Sequence, residues 1–252
     1  MRSQSISFTS DEIYEHRIDA AMFGKHCAAL VNARQAGVFN LYLKTSSSAR
    51  IVIVDYCTGN LNSIKRTLDR MGGLSIISSQ VKDVSAADKI ILPGVGHFAK
   101  AMANLKVLGL LDALNEAVLI KRKAVLGICL GMELMAITSE EGNTPGLQWL
   151  DAGAVRFKIS ASARHKVPHM GWNRIQITKA SALMKDVADQ SEFYFAHSYH
   201  LKINDESDLL NETEYGVRFP SAVERNNIFG VQYHPEKSHH TGVKVLKNFI
   251  DM

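Results

Sequence analysis

A cysteine between two glycines is the residue of this sequence best suited to nucleophilic chemistry. An apolar run at residues 124–128 indicates a buried strand, and residues 133–136 have helical character, so Cys129 lies where a strand passes into a helix. The motif Gly127-Ile128-Cys129-Leu130-Gly131 is typical of a nucleophile elbow, a turn so tight that the neighbouring residues must lack bulk. Backbone N–H groups and the dipole at a helix N-terminus favour a thiolate. The pattern predicts a cysteine nucleophile, with a buried structural cysteine as the alternative.

A nucleophilic cysteine needs a base, and one of the ten histidines stands in a suitable place. Residues 228–233 are predicted to form a strand, and His234 follows it directly. In open α/β sheets, catalytic groups gather at the carboxyl ends of strands. Glu236 lies two residues further on, where its carboxylate can orient the imidazole. A His-x-Glu pair arises often by chance, but together with the elbow it predicts a triad of Cys129, His234 and Glu236.

Acyl transfer also needs backbone N–H groups that stabilise a developing oxyanion. The segment Pro93-Gly94-Val95-Gly96 follows a buried apolar strand, and its glycines permit unusual peptide orientations. The N–H group of Leu130, the residue after the nucleophile, is the second candidate donor. We therefore predict an oxyanion hole formed by this segment and Leu130, with an ordinary turn as the alternative for residues 93–96.

The composition of the 252-residue chain argues against several other classes of function. The net charge is +4, and no cluster of Lys and Arg suits a phosphate backbone, which disfavours nucleic-acid binding. The three cysteines form neither a Cys-x-x-Cys motif nor a disulfide framework, so a reducing compartment fits best. No apolar run approaches the roughly 20 residues of a membrane span, and the N-terminus lacks the apolar core of a secretory signal. We expect a cytoplasmic protein without a metal or an organic cofactor.

Two regions are predicted along the chain. Residues 1–49 do not resemble the rest and are predicted to be an extension of unknown role, either packed on the domain or partly disordered. Residues 50–252 are predicted to form one α/β domain, with an open, mostly parallel sheet flanked by helices and an added antiparallel portion. Helices are predicted at 61–71, 97–109, 111–121 and 241–250. Strands are predicted at 51–55, 74–78, 89–92, 125–128, 154–159, 174–178, 193–195, 199–203, 215–217, 222–225 and 228–233.

Several motifs of residues 50–252 resemble a known family. The elbow motif, His234-Pro235-Glu236 and Leu92-Pro93-Gly94-Val95-Gly96 are similar to those of class I, triad-type glutamine amidotransferases, which have a flavodoxin-like fold. More closely, the motifs resemble the glutaminase subunits of imidazole glycerol phosphate synthases. The segments that carry this closer resemblance are Asp55-Tyr56-x-x-Gly59-Asn60-Leu61, Pro168-His169-Met170-Gly171-Trp172-Asn173, Tyr194-Phe195-Ala196-His197-Ser198-Tyr199 and Gly230-Val231-Gln232-Tyr233-His234-Pro235-Glu236-Lys237-Ser238.

The resemblance implies a reaction and a partner. Cys129 would attack the side-chain amide of glutamine, His234 would carry the proton to the departing ammonia, and Glu236 would orient His234. A thioester to glutamate would form and be hydrolysed. The ammonia would pass to a (β/α)₈-barrel cyclase, which forms a heterodimer with the glutaminase in histidine biosynthesis.

The resemblance also implies which residues contact glutamine and which face the partner. Val95 and Leu130 would form the oxyanion hole. The glutamine would be held by the loop glycines, by the residue that follows the elbow and by a backbone segment near residue 198, namely Gly94, Gly96, Glu133, His197, Ser198 and Tyr199. Residues 168–173 and Trp149 would lie toward the barrel, although a place in the core is the alternative for the large apolar side chains.

The sequence departs from the family's pattern at a few positions. Cys57 stands where the family usually has glycine, and Glu133 stands where relatives often have glutamine. Residues 1–49 have no counterpart in the family.

Three other interpretations stay open from the residues alone. A closely related glutaminase feeds ammonia to enzymes that amidinate sugars of surface polysaccharides, and residues 139–142, 197–200 and 236–242 resemble that branch at least as well. A scaffold subunit with a degenerate site is disfavoured by the intact triad. A free-standing cysteine peptidase is disfavoured by the motifs around the triad.

Overall fold

The structure is a computed structural model that describes residues 49–159 and 166–252. The extension predicted for residues 1–49 therefore lies almost wholly outside the described residues. Within the two described ranges, no helix has both the length and the apolar character needed to cross a membrane.

Strands alternate with helices in the first part of this region, and strands dominate the second part. The strands are β1 (Ile51–Val54), β2 (Ser75–Ser78), β3 (Lys89–Gly94), β4 (Ala124–Cys129), β5 (Thr138–Ser139), β6 (Thr144–Pro145), β7 (Ala152–Arg156), β8 (His169–Arg174), β9 (Gln176–Ile177), β10 (Glu192–His197), β11 (Tyr199–Ile203), β12 (Leu209–Glu214), β13 (Arg218–Arg225) and β14 (Ile228–Val231). The α-helices are α1 (Leu61–Arg70), α2 (Val81–Ala86), α3 (Phe98–Val107), α4 (Leu110–Asn115), α5 (Leu130–Glu133) and α6 (His239–Asp251). A π-helical turn at Glu116–Ile120 continues α4.

The central sheet has eight strands in the order β2-β1-β3-β4-β14-β13-β12-β9. The first five strands in this order, β2, β1, β3, β4 and β14, are parallel to one another. The remaining three strands, β13, β12 and β9, extend the sheet with antiparallel pairing. Gly94 lies opposite Cys129 in the β3–β4 ladder, and Ile128 lies opposite Val231 in the β4–β14 ladder. The segments predicted to act on the substrate thus leave three neighbouring strands at the same edge, as the sequence predicts for an open, mostly parallel sheet with an antiparallel portion.

Two apolar layers cover the faces of the central sheet. Val52 and Val54 of β1 point to the layer that contains α2, α3 and α4, whereas Ile51 and Ile53 point to the layer that contains α1 and α6. All four side chains of β1 are fully buried, which explains why this strand is a continuous apolar run in the sequence. Two smaller sheets, β10-β8 and β11-β7-β5-β6, complete the strand-rich part.

The strand predicted at residues 215–217 is wrong. These residues form the bend between β12 and β13, in which Gly216 has a φ of +70° and the Tyr215 N–H donates to the Val217 carbonyl. The sequence prediction also missed β12, whose half-polar sequence gives a weak apolar signal, and the short helix α2.

Candidate active site

Cys129 occupies the sharp turn between β4 and α5. Its φ of +54° and ψ of −113° are unusual for a residue with a side chain, and such conformations persist only where the surroundings impose them. The two flanking glycines are required by close approach, because a Cβ at Gly131 would lie 1.7 Å from the Leu92 carbonyl oxygen and one at Gly127 would lie 2.7 Å from the Gly131 carbonyl oxygen. The turn therefore has the tightness that a nucleophile elbow needs.

The thiol of Cys129 is held in its protonated form. The residue is 5% exposed, and burial raises the pKa of the thiol well above its usual range, with further increases from the carboxyls of Glu133 and Glu236. Hydrogen bonds from the Leu130 N–H and the Gln232 amide act in the opposite direction but do not reverse the shift. The expectation of a favoured thiolate is wrong for the chain alone, because burial and the neighbouring carboxyls outweigh these hydrogen bonds.

His234 and Glu236 form a buried, oriented pair. His234 Nδ1 donates to Glu236 Oε1 at 2.9 Å, and both side chains are at most 2% exposed. This bond leaves Nε2 as the nitrogen that can accept a proton, and Nε2 is buried without a hydrogen-bond partner in the described part of the chain. Cys129 ends β4 and His234 follows the neighbouring strand β14, so both residues lie at the same edge of the sheet.

The segment after β3 is fixed at both ends by side chains. The Tyr56 hydroxyl donates to the Pro93 carbonyl, and the Phe98 N–H donates to Glu141 Oε2 at 2.6 Å. A Cβ at Gly94 would lie 2.5 Å from the Tyr56 hydroxyl oxygen, so only glycine fits there. Val95 between these anchors is 42% exposed and lines the same pocket as Cys129 and Leu130.

Most of the predicted site residues line a single pocket of about 190 Å³. Four further residues complete its wall. Two larger pockets, of about 490 and 580 Å³, lie against α6, and no cysteine lines either of them. The predicted residues in the pocket are Val95, Gly96, Cys129, Leu130, Glu133, His197, Ser198 and Tyr199, and the additional ones are Glu141, Pro168, Met170 and Ala196. Gly94, His234 and Glu236 are not part of this wall: Gly94 ends β3, His234 follows β14, and Glu236 lines the 580 Å³ pocket instead.

Glu133 is a buried carboxyl on the pocket wall. It is 5% exposed, and the Gln232 amide, which is fully buried, donates to Glu133 Oε1 at 2.9 Å. Burial raises the pKa of Glu133 to about 8; the Gln232 hydrogen bond lowers this pKa, and the Glu141 carboxyl raises it further. Sequence reasoning did not single out Gln232, although a long polar residue at the end of the apolar run 228–231 is the signal that could have found it.

A pair of buried histidines supports the backbone of the pocket. His197 Nδ1 donates to the Tyr199 carbonyl at 2.7 Å, because a carbonyl can only accept, and His197 Nε2 then accepts from His169 Nδ1 at 2.9 Å. Burial holds the pKa of His197 well below its usual range. The His197 imidazole thus braces the turn at Ser198, and the backbone of this turn is the part that faces the pocket.

The residues predicted to face a partner fall into two groups. Met170 is 65% exposed and Trp172 is 46% exposed, with the Trp172 ring stacked on His239 at a centroid distance of 4.9 Å. Trp149 is 3% exposed and donates from Nε1 to Asn115 Oδ1 at 2.8 Å. An interface role for Trp149 is therefore wrong, and this residue belongs to the core.

The thiol of Cys57 is exposed. The φ of Cys57 is +64°, a left-handed conformation that a glycine at this position would adopt without strain. Among residues 49–159 and 166–252, no group of three His, Cys, Asp or Glu side chains is placed to hold a metal ion.

Comparisons with known proteins agree with this geometry. A family model described as glutamine amidotransferase class-I matches residues 52–252. Relatives named imidazole glycerol phosphate synthase subunit HisH 2 occur in Pseudomonas aeruginosa, with 44% identity over 80% of this chain and 99% of the relative, and in Methanococcus maripaludis, with 46% identity over 79% and 98%. A relative named subunit HisH in Moorella thermoacetica is 44% identical over 79% of this chain and 93% of its own length.

Solved structures show the same fold at low identity. One described as a glutamine amidotransferase has a TM-score of 0.62 and 16% identity, and covers 80% of this chain and 99% of that chain. Another, PurLQS from Thermotoga maritima, has a TM-score of 0.59 and 14% identity, and covers 81% and 98%.

Proposed function

Because the chain belongs to the class-I glutamine amidotransferase family, we propose that it is the glutaminase subunit of an imidazole glycerol phosphate synthase. It hydrolyses glutamine to glutamate and ammonia, and the ammonia passes to a cyclase subunit with a (β/α)₈ barrel in histidine biosynthesis. The observation that carries the proposal is the strained elbow of Cys129 at the end of β4, together with the His234–Glu236 pair that follows the neighbouring strand β14. The HisH relatives, which match over nearly their full length, support the choice of pathway.

Each residue of the site has its own role in the proposed reaction. The Cys129 thiol gives its proton to His234 Nε2, and Sγ attacks the amide carbon of glutamine. N–H groups of Val95 and Leu130 stabilise the negative oxygen that develops. His234 returns the proton to the amide nitrogen, the C–N bond breaks, and ammonia leaves a thioester on Cys129. Water, activated by the same imidazole, hydrolyses the thioester to glutamate and the free thiol.

Glutamine lies in the 190 Å³ pocket, with its reacting amide at Cys129. The backbone of His197, Ser198 and Tyr199 and the Glu133 carboxyl hold the rest of the molecule. Met170 shares the pocket wall and is exposed, so a partner that covers Met170 would also close the pocket mouth. Such a closure would direct ammonia into the partner and away from solvent.

The free chain is expected to be a poor glutaminase. Its thiol is held protonated, and His234 Nε2 has no hydrogen bond to any described residue. Binding of the cyclase and its ligand would activate the site by reorienting the exposed peptide at Val95, which lies between the anchors at Pro93 and Phe98.

The test is glutamine hydrolysis by the chain alone, with the cyclase of the same organism, and with the cyclase plus its nucleotide ligand. We expect low activity that rises strongly only in the ternary mixture. Cys129→Ala should abolish glutamine-dependent synthesis and leave synthesis from ammonium salts intact, because the ammonia site belongs to the cyclase. A chain that stays inactive in the ternary mixture would refute the histidine-pathway role and favour the sugar-amidinating partner.

A further inference from the structure

In the described part of the chain, the buried carboxyl of Glu133 has no positively charged partner. Among the described residues, no ion pair includes Glu133, and its one hydrogen-bond partner, Gln232, is uncharged. The titratable side chains on the segments packed around α5 are Tyr56, Lys89, Cys129, Glu141, His197, Tyr199, His200, Lys202 and His234. Of the two lysines, Lys89 donates to the Phe249 and Ile250 carbonyls and Lys202 is exposed. The three histidines bond elsewhere, to the Tyr199 carbonyl, the Leu201 carbonyl and Glu236. A buried carboxylate without a cation is costly, so such a group takes up a proton instead.

The hydrogen bond from Gln232 decides which oxygen of Glu133 carries that proton. Oε1 accepts from the amide, a role that suits the carbonyl oxygen, the stronger acceptor of the neutral acid. Oε2 is then the hydroxyl, which leaves one donor for a ligand in the pocket that Glu133 lines. The neutral acid offers a donor and an acceptor, as an amide does, whereas the ionised form offers acceptors only.

We propose that Glu133 works as a neutral carboxylic acid in the glutaminase site, with Gln232 as the positioning residue that orients it, and that ionisation of Glu133 switches the site off. The inference rests on the proposed glutaminase function. Ionisation would remove the donor to glutamine and place a negative charge on the wall of the pocket. It would also oppose formation of the Cys129 thiolate, because the Glu133 charge raises the pKa of that thiol.

The first test is the pH dependence of kcat/KM for glutamine in the complex with the cyclase and its ligand. For the unmodified chain we expect a fall of about tenfold per pH unit above roughly pH 8, as one proton is lost. In Glu133→Gln the profile should lack this alkaline fall, because the amide that replaces the carboxyl cannot ionise. Glu206→Gln, which removes an exposed carboxylate far from the pocket, should keep the original profile. An unchanged alkaline fall in Glu133→Gln, or its inactivity at every pH in a folded protein, would overturn the proposal.

Gln232→Met tests the positioning role. Because the Gln232 amide lowers the pKa of Glu133, its loss should move the alkaline fall to higher pH while it raises KM. A variant that loses activity uniformly, with the fall at the original pH, would show that Gln232 has a structural role only.

A second readout does not depend on glutaminase activity. The rate at which iodoacetamide alkylates Cys129, followed by peptide mapping between pH 7 and 9, reports the thiolate fraction of that residue. We expect Glu133→Gln to react faster than the unmodified chain, and Glu206→Gln to react at the same rate. If no mixture hydrolyses glutamine but the alkylation rates differ as expected, the proposed function fails and the coupling between Glu133 and Cys129 stands. Equal rates in all three proteins would refute the coupling.

Discussion

At the residue scale, Cys129 and Cys57 differ in the exposure of their thiols, and this difference allows a test of substrate binding in the pocket. Cys57 is exposed, whereas Cys129 is 5% exposed and has a raised thiol pKa. We expect iodoacetamide to modify Cys57 faster than Cys129, because the Cys57 thiol is exposed, whereas the Cys129 thiol is buried and its pKa is raised. A chloroketone analogue of glutamine should reverse this preference, because binding in the pocket brings its electrophile to Cys129.

Peptide mapping by mass spectrometry measures both reactions, with Cys27 followed as well. An excess of glutamine should protect Cys129 from the analogue and leave the labelling of Cys57 unchanged. Equal labelling of Cys57 and Cys129 by the analogue would contradict selective binding at the elbow.

The raised pKa of Glu133 also makes the stability of the fold depend on pH. Its pKa is about 8 in the folded chain against an ordinary value of 4.5, so between these pH values the folded protein holds a proton that the unfolded chain has released. The free energy of unfolding therefore falls as pH rises through this window, and Glu133→Gln removes that fall. The stability of the variant relative to the unmodified chain should increase by about 1.4 kcal/mol per pH unit between roughly pH 5 and 8.

Urea unfolding at pH 5, 6, 7, 8 and 9 measures this difference. Glu206→Gln should show no such trend, since its carboxylate is exposed. A constant difference between Glu133→Gln and the unmodified chain would mean that Glu133 ionises at its ordinary pH.

At the scale of elements, the start of α3 depends on a side chain from a distant part of the sequence. His97, the residue before α3, provides no side-chain cap, and the Phe98 N–H donates to Glu141 instead. We expect Glu141→Ala to destabilise the protein by about 1 kcal/mol, the usual cost of a lost helix cap. Because the same bond anchors the segment that carries Val95, kcat in the activated complex should also fall, by roughly tenfold for a weakened oxyanion donor.

Glu140→Ala is the matched control. Glu140 is the neighbouring carboxylate and also accepts from a backbone N–H, that of Arg156, but it does not touch the oxyanion segment. This variant should lose a similar amount of stability and keep its kcat. Equal losses of kcat in both variants would show that Glu141 acts only through the stability of the fold.

The sequence predicted the elements whose residues are uniformly buried and missed those that depend on tertiary contacts. The apolar runs of β1, β3, β4 and β14 were clear, and because these strands are parallel and adjacent, their order along the chain placed the triad residues at one edge. In contrast, β12 carries polar side chains that are buried only by neighbouring strands, such as Asn211 at 0% exposure. Glu141 could not be assigned for the same reason, since it acts through Phe98, a partner distant in sequence.

At the scale of the whole molecule, the family model begins at residue 52, and the relatives align over about 80% of this chain. The catalytic residues and the pocket all lie within residues 94–236. We therefore expect a chain that lacks residues 1–48 to bind the cyclase and to hydrolyse glutamine at the rate of the full chain. Steady-state kinetics of the two complexes measure this, and a folded truncated chain without activity would show that the extension contributes to the site or to the interface.

Met170, an exposed apolar residue at the pocket mouth, is expected to contribute to binding of the cyclase. Met170 is 65% exposed and lines the pocket, a position that favours contact with a partner over contact with solvent. Met170→Ser should weaken binding of the cyclase by about tenfold, as expected for a residue that is buried at an interface. Val107→Ser is the matched control, because Val107 is 86% exposed on α3 and lies away from the pocket. Titration calorimetry with the cyclase should show weaker binding for the first variant only, and equal affinities for both variants would place the cyclase on another face of the chain.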